Sequence, residues 1–191
     1  LESLGLVEKT IPFGSSAKSK KGVYRISDPA FLFWYRFVAP YVSAIEQGLG
    51  SEIAERLLSG ERRNEYEGHL FERVCLEWVV RQAQSRSLPL SVTNYGTWWG
   101  PNPALKQETD IDVVASDEID KYALVGECRW RNEINESEVF ESLQARCGLL
   151  PGYTRYERYL FTKHPVSETT RLKYAHDETM HFVSIGEMYG E

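Results

Sequence analysis

Three acidic residues and one arginine lie at alternate positions in two runs of sequence that read as neighbouring β-strands. Asp110 and Asp112 belong to one β-rich run, and Glu127 and Arg129 belong to the next. Because side chains alternate along a strand, Asp110 shares a face with Asp112, and Glu127 shares a face with Arg129. Carboxylates that are held close together repel one another unless a cation lies between them. The pattern therefore predicts a Mg²⁺ or Mn²⁺ site that acidifies bound water and polarises a phosphodiester.

The register of the two strands decides which of these side chains meet. A turn centred on positions 119–120 places Asp112 opposite Glu127 and Asp110 opposite Arg129 in an antiparallel pair. A slip of one residue would place the acids on opposite faces. For Asp110 and Arg129, a structural ion pair across the strands is favoured over metal ligation by Asp110.

A third carboxylate comes from a long amphipathic helix earlier in the chain. Glu72 lies on the same stripe as Cys75 and Val79, so we expect it to point inward and complete the metal site. The alternative is that these acidic residues lie on a solvated surface and form no metal site. Glutamates on long helices are usually exposed, and cross-strand ion pairs on a solvated hairpin contribute only about 0.2–1 kcal/mol each.

The elements that must position these residues follow from hydrophobic periodicity. After a long helix the chain reads as three strands, a helix, a strand, a helix and a strand, which predicts an α/β (α+β) fold with a mixed sheet flanked by helices. The expected helices are Glu61 to about Arg86, Ser137–Leu149 and Glu168–His176, and the expected strands are Leu90–Asn94, Glu108–Ala115, Tyr122–Trp130, Arg158–Thr162 and His181–Ile185.

The N-terminal residues 1–28 resemble the last helix and wing of a winged helix. Leu1–Leu6 reads as the end of a helix that stops at Gly5, and Val7–Pro12 and Val23–Ile26 read as a hairpin. Its loop carries lysines that either contact a DNA backbone or serve solubility: Lys18, Lys20 and Lys21.

Residues 29–60 read as a helical linker, and residues 61–191 as the main domain. Asp28 and Pro29 are a typical helix start. The stretch Phe31–Tyr41 is apolar almost all round, so we expect it to be buried against a larger body. Gly48 and Gly60 mark joints around a short helix.

Composition excludes several classes of protein. The chain has 191 residues with a formal net charge of −6, which argues against bulk coating of nucleic acid. No apolar run approaches the roughly 20 residues of a membrane span, and a signal peptide pattern is missing. The 3 cysteines lack a C-x-x-C pair and indicate reduced thiols in the cytoplasm. Because the chain opens on Leu1 in apparent helix, we expect it to be a fragment.

The acidic pattern resembles a known superfamily. Glu72 on a helix, Asp112 at a strand end and Glu127-Cys128-Arg129 on the next strand are similar to the signature of the PD-(D/E)XK, or restriction-endonuclease-like, proteins. This resemblance implies a restriction-endonuclease-like mixed sheet and a Mg²⁺-dependent or Mn²⁺-dependent phosphodiesterase. It assigns metal binding to Glu72, Asp112 and Glu127, and catalysis to these three residues with Arg129.

A narrower resemblance covers essentially the whole chain. Gly96–Trp99, Thr109–Ala115 and Gly126–Arg131 look like the C-terminal nuclease-like domain of a group of archaeal and bacterial P-loop ATPases. In that group a winged helix and an apolar linker similar to Phe31–Val38 precede the domain. The resemblance implies DNA as a partner, contacted by Arg131 and the wing lysines, and an ATPase domain upstream of Leu1. It implies no membrane partner.

One residue departs from the superfamily pattern. Arg129 stands where the superfamily has lysine, and arginine stays protonated in proteins, so it does not act as a general base. Two hypotheses follow. In the first, the domain cleaves or grips DNA with Arg129 on the scissile phosphate. In the second, it is a degenerate nuclease fold that binds DNA or protein and regulates the ATPase. Pairing with a neighbouring protein, as in toxin and antitoxin systems, is a third possibility.

Overall fold

The structure, a computed structural model, describes residues 1–16 and 18–190. The chain forms two compact units. The first contains residues 1–11 and 15–70, and the second contains residues 12–14 and those from Phe71 onward. Among the described residues no helix has both the length and the apolar character needed to cross a membrane. The three-segment division at residues 28 and 60 remains a prediction.

The first unit begins with a hairpin. Strands β1 (Val7–Thr10) and β2 (Val23–Ile26) pair antiparallel, with Val7 opposite Ile26. A single 3-10 turn, Glu2–Leu4, precedes them and ends at Gly5, whose φ of 67° lies in the left-handed region that glycine tolerates best. The predicted hairpin and the predicted glycine stop are both present. Whether they belong to a winged helix stays a prediction.

A chain of short helical segments follows the hairpin. The Asp28 side chain caps the first of them by accepting hydrogen bonds from the backbone N–H groups of Ala30 and Phe31, at 2.7 and 3.0 Å. The predicted joints at Gly48 and Gly60 have φ values of 88° and 72°. The α-helical segments are α1 (Pro29–Phe33), α2 (Val42–Ala44) and α3 (Gly50–Leu57), joined by π-helical turns at Trp34–Val38 and Ile45–Leu49 and a 3-10 turn at Ala39–Tyr41.

The expected burial of the apolar stretch Phe31–Tyr41 is wrong for the described chain. Phe37 is buried, with 5% exposure, but Trp34 and Tyr35 are 47% and 59% exposed. Phe37 packs against Tyr66, with ring centroids 5.2 Å apart. A single helical stretch presents only one face to a neighbour, so the aromatic side chains on its other faces stay in solvent.

The second unit is a five-stranded mixed sheet with helices around it. Strands β3, β4 and β5 pair antiparallel, and β5, β6 and β7 pair parallel, in the spatial order β3-β4-β5-β6-β7. The predicted order of helix, three strands, helix, strand, helix, strand is confirmed. The elements are α4 (Glu61–Gln84), which starts in the first unit, β3 (Asn94–Asn102), β4 (Gln107–Asp117), β5 (Tyr122–Arg129), α5 (Glu136–Cys147), β6 (Arg155–Thr162), α6 (Glu168–Lys173), β7 (Met180–Ser184) and α7 (Ile185–Tyr189).

One strand lies elsewhere than predicted. Sequence analysis places the first strand at Leu90–Asn94, whereas β3 begins at Asn94 and ends at Asn102. This strand contains Gly96, Gly100 and Pro101, residues that weaken a strand signal. It lies at the edge of the sheet, where glycine and proline are tolerated because one side of the strand makes no ladder hydrogen bonds.

Two apolar cores cover the two faces of the sheet. On one face, Phe71, Cys75 and Val79 of α4 pack with strand residues that include Leu124 and Phe161. On the other face, apolar residues of α5 pack against a separate set of strand residues: Val139, Phe140 and Leu143 against Val114, Val125 and Leu160. We call these the α4 face and the α5 face. They decide where each polar residue of the site points.

Gly126 of β5 has no room for a side chain. A Cβ atom there would lie 2.8 Å from Cε2 of Phe161 and 2.9 Å from Cβ of Val113, and both neighbours are fully buried. We expect Gly126→Ala to lower the free energy of unfolding by about 1–3 kcal/mol, because overpacking forces neighbouring side chains to shift. Urea denaturation measures this. Gly96→Ala is the matched control, since no atom lies within 4 Å of its Cβ position. Equal stability of the two variants would contradict the prediction.

Candidate functional site

The β4–β5 hairpin has the predicted register. Val113 pairs with Gly126 and Asp117 with Tyr122, which centres the turn between residues 119 and 120 as expected. The paired residues stop at Val113, one position before Asp112. Asp112 and Glu127 are therefore not paired in the ladder as predicted. Asp112 makes a different contact at the point where the ladder ends.

A β-bulge at Asp112 and Val113 interrupts the alternation of β4. On the neighbouring strand β3, Gly96 pairs with Val114 but Trp98 pairs with Ile111, so two residues of β4 lie opposite one of β3. As a result, Ile111 and Val114 both join the core of the α5 face, while Val113 joins the core of the α4 face. The bulge re-aims the side chain of Asp112.

Asp112 lies half-buried and turned toward α4. Its Oδ2 accepts a hydrogen bond of 2.7 Å from the backbone N–H of Cys128. Burial and the nearby negative charge of Glu72 raise the pKa of Asp112 from its ordinary 3.8 to about 7, and Asp110 adds to the rise. The Cys128 N–H and the positive charge of Arg146 oppose the rise. Glu72 and Asp112 are thus close enough to interact, as the sequence predicted.

Glu127 lies on the α5 face and is held by two guanidinium groups. Its side chain is 1% exposed. Oε1 forms an ion pair of 2.5 Å with Nη1 of Arg129, and Oε2 forms a direct ion pair with Nη1 of Arg146 on α5. Both carboxylate oxygens are therefore engaged by positive charge within the protein, in the manner expected of a buried carboxylate.

The two strand carboxylates differ in their other partners, although the positive charge of Arg146 acts on both. Asp112 interacts with Glu72 toward the α4 face, whereas Glu127 interacts with arginines on the α5 face. Across residues 1–16 and 18–190, no three His, Cys, Asp or Glu side chains are grouped so that they could hold a metal ion. The β4–β5 ladder stops one position before Asp112, so the shared face expected for Asp112 and Glu127 remains a prediction. Metal binding by these residues remains a prediction.

The expected ion pair between Asp110 and Arg129 is replaced by another one. Arg129 binds Glu127 on its own strand, and its Nη1 also donates to the backbone oxygen of Cys128 at 3.3 Å. Asp110 is exposed and pairs in the ladder with Trp99 of β3. Since the β4–β5 ladder ends at Val113, the strands beyond it no longer hold these two side chains in register.

Arg146 is the site residue that sequence reasoning missed. It follows Leu143 by three positions and Val139 by seven, so it lies on the buried stripe of α5. Its side chain is 15% exposed. A charged residue within an apolar helical stripe is a signal for a buried ion pair, and it was available in the sequence.

The thiol next to the site is buried. Cys128 points into the α4 face, as its strand position predicted, and Cys75 of α4 packs in the same core. Burial, then contact with Cys75 and the negative charges of Asp112 and Glu72, raise the pKa of the Cys128 thiol well above its ordinary range. All 3 cysteines are free, in agreement with the reduced thiols expected from their spacing. A thiol with a raised pKa is a poor nucleophile, so Cys128 contributes packing.

A second buried carboxylate lies at the opposite ends of the strands. Glu157 of β6 is 3% exposed and accepts a hydrogen bond from the Tyr122 hydroxyl. Its Oε2 lies 2.5 Å from Nε2 of His181, whose ring stacks on Tyr159 with centroids 4.3 Å apart. The contact to Glu157 and burial raise the pKa of Tyr122 to about 12, with burial the larger cause. His181 is thus part of a structural network.

The remaining predicted contacts lie on exposed surface. Arg131 is exposed just after β5, and the wing lysines lie exposed in the β1–β2 loop: Lys18, Lys20 and Lys21. Gln144 of α5 accepts a 2.5 Å hydrogen bond from Nη1 of Arg158. Contact of these residues with nucleic acid remains a prediction.

Fold and site together define a mixed α+β protein in which a buried glutamate, Glu127, is paired with two arginines near the end of a β-hairpin. Residues 34–141 match the model of the DUF234 family, described as archaeal and bacterial proteins of unknown function, and the chain belongs to this family. It is 31% identical over 155 residues to a Methanocaldococcus jannaschii protein named "Uncharacterized protein MJECL04". That match covers 80% of this chain but only 33% of the relative, so the chain spans about a third of the relative's length. No solved structure matches the chain.

Proposed function

We propose that this chain is the C-terminal part of a P-loop ATPase, and that its second unit is a nuclease-like domain that binds nucleic acid without cleaving it and regulates the ATPase. The observation that carries the proposal is the pairing of Glu127 with Arg129 and Arg146. The sequence resemblance supports the assignment to the ATPase group. The length of the archaeal relative, of which this chain spans a third, is consistent with a further domain in the full protein.

The residues present do not fit a divalent cation at Glu127. A cation that bound this carboxylate would have to displace two guanidinium groups from a side chain that is 1% exposed. It would also meet their positive charge at short range. Arg129 does not replace the lysine of related nucleases as a general base, because a guanidinium is not deprotonated in proteins. The chain's own residues therefore favour binding of an anionic group over hydrolysis.

Binding must be local, since the overall charge is unfavourable. The net charge of −6 arises almost entirely after residue 66. Two guanidinium groups, those of Arg129 and Arg146, meet the single carboxylate of Glu127, and exposed Arg131 adds a further positive charge nearby. Such a focused positive charge suits one or two phosphates of a strand.

One observation favours the metal-dependent nuclease as the second candidate. Glu72 and Asp112 interact through their negative charges, and this repulsion is part of what raises the pKa of Asp112. A Mg²⁺ or Mn²⁺ ion between two carboxylates would relieve the repulsion. The nuclease hypothesis then predicts metal binding that depends on Asp112.

Calorimetric titration and a cleavage assay separate the two functions. Mn²⁺ is titrated into the purified chain, and plasmid and branched DNA are incubated with it in Mg²⁺ or Mn²⁺. The proposal predicts no Mn²⁺ binding in the millimolar range and no cleavage above background, while a short DNA duplex still binds in a salt-dependent manner. The variants are Asp112→Ala and Glu127→Ala, with Asp120→Ala in the exposed hairpin turn as the matched control. Metal-dependent cleavage that is lost in both site variants but kept in the control would overturn the proposal.

A further inference from the structure

A cavity of about 390 Å³ opens on the α5 face beside the buried ion pairs. Arg129 forms part of its lining, and the N-terminal end of α5 forms another part through Asn135 and Glu138. Small-molecule sites typically have volumes of about 300–1,000 Å³, so the cavity is large enough for a compact ligand. Its charged lining residues are of both signs: Arg129, Arg131, Glu133 and Glu138.

The positive part of the cavity suits a phosphate. The Arg129 side chain is 32% exposed, and among residues 1–16 and 18–190 its contacts to Glu127 and to the Cys128 carbonyl are both made by Nη1. In the part of the chain that the structure describes, the Arg131 guanidinium has no hydrogen bond or ion pair. Two guanidinium groups bind phosphate oxygens through charge-assisted, often bidentate, hydrogen bonds.

The remaining lining disfavours a simple polyanion. Glu133 and Glu138 would repel a second phosphate, but they accept hydrogen bonds from amino groups. Ile134 and Val139 provide an apolar wall against which a flat ring can pack. A ligand that matches all three features carries one phosphate, a planar apolar ring and an amine.

We propose that this cavity binds a nucleoside monophosphate unit whose base carries an exocyclic amine, with the phosphate on Arg129 and Arg131 and the amine toward Glu138. This inference rests on the proposed function, because Arg129 belongs both to the internal ion pairs and to the cavity. The inference specifies that the part of a nucleic acid bound by the domain is a single nucleotide unit. The unit is either a free nucleotide or the 5′-terminal nucleotide of a strand, because both present the same phosphate and base.

Isothermal titration with adenosine 5′-monophosphate tests the assignment on the full chain. We expect binding that is weakened about tenfold or more when the phosphate is removed, as in adenosine, or when Arg131→Gln removes one guanidinium. Inosine 5′-monophosphate, which lacks the amine, is expected to bind several-fold more weakly than the adenosine nucleotide. Arg81→Gln is the matched control, since Arg81 is exposed on α4, on the other side of the sheet.

Several outcomes would overturn the inference. These are absence of binding at millimolar nucleotide, unchanged affinity in Arg131→Gln, or an equal loss in Arg81→Gln. Equal affinity for the adenosine and inosine nucleotides would overturn the role given to Glu138. A 5′-phosphorylated oligonucleotide that binds more tightly than the free nucleotide identifies a strand end as the source, and the reverse order identifies a free nucleotide. Nucleotide binding is measured without metal, so its failure is distinct from the Mn²⁺ binding and cleavage that would overturn the proposed function.

Discussion

Replacing Arg146 with methionine is expected to lower the free energy of unfolding by about 3 kcal/mol. The substitution leaves Oε2 of Glu127 without its cationic partner in a site where the carboxylate is 1% exposed. Removing one partner of a buried ion pair typically costs about 3–5 kcal/mol, because the remaining charge stays desolvated. Arg129 still neutralises part of the charge at 2.5 Å, which places the expected loss at the lower end. Urea denaturation at pH 7 measures the difference.

Two further variants show whether the loss arises from the buried charge. The double variant Glu127→Leu with Arg146→Met removes both charges of this buried pair and leaves only Arg129, whose 32% exposed side chain is open to water, so we expect it to recover much of the stability that the single variant loses. Arg171→Met is the control for loss of an exposed pair. Arg171 and Glu187 form an ion pair of 2.8 Å whose side chains are 42% and 38% exposed, and such pairs contribute about 0–1 kcal/mol. Equal destabilisation by Arg146→Met and Arg171→Met would contradict the structural account.

Asp112→Asn is expected to stabilise the protein at alkaline pH. Because the pKa of Asp112 is raised to about 7 in the folded state, the folded protein binds the proton more tightly than the unfolded chain does. The stability that this proton contributes is fully present below about pH 4 and is lost as the pH rises through 7. The asparagine variant has no carboxylate to ionise and keeps an oxygen for the Cys128 N–H. We therefore expect its advantage to grow from near zero at pH 4 to about 2–4 kcal/mol at pH 8.

The pH series has an internal control. Asp120→Asn changes an exposed carboxylate in the β4–β5 turn that does not contribute to the pKa of Asp112, and it should shift stability by less than about 0.5 kcal/mol at any pH. Unfolding curves for wild type and both variants, collected from pH 4 to pH 8, give the differences directly. A constant difference between wild type and Asp112→Asn across this range would show that Asp112 does not take up a proton on folding.

The two site carboxylates are thus accommodated by different means. Asp112 is placed near Glu72 and gains stability from a proton, whereas Glu127 is neutralised by the guanidinium groups of Arg129 and Arg146. In a metal-dependent site, by contrast, one cation would neutralise both acids. Because the two acids are neutralised separately and not by one shared metal ion, we propose a domain that binds phosphate groups and does not cleave the phosphodiester bond.

Local patterns were sufficient for most of the fold. The register of the β4–β5 hairpin was predictable from the position of its turn, where the Asp117 side chain accepts hydrogen bonds from the backbone N–H groups of Ile119 and Asp120. The α5 boundaries were within two residues of expectation, since Asn135 is a strong cap. Strand β3 was displaced because its glycines and proline carry little hydrophobic signal at a sheet edge.

By itself, the sequence determined the order of the elements, the hairpin register and the residue types available to the site, because these depend on periodicity and turn chemistry along one stretch of chain. Only the tertiary structure decided which acids meet. The bulge at Asp112 depends on the pairing of β4 with β3, and the neutralisation of Glu127 depends on Arg146, nineteen positions further along the chain on α5. Contacts between distant elements set the burial and the charge around each carboxylate, and these two quantities decide whether it takes up a proton, an arginine or a metal ion.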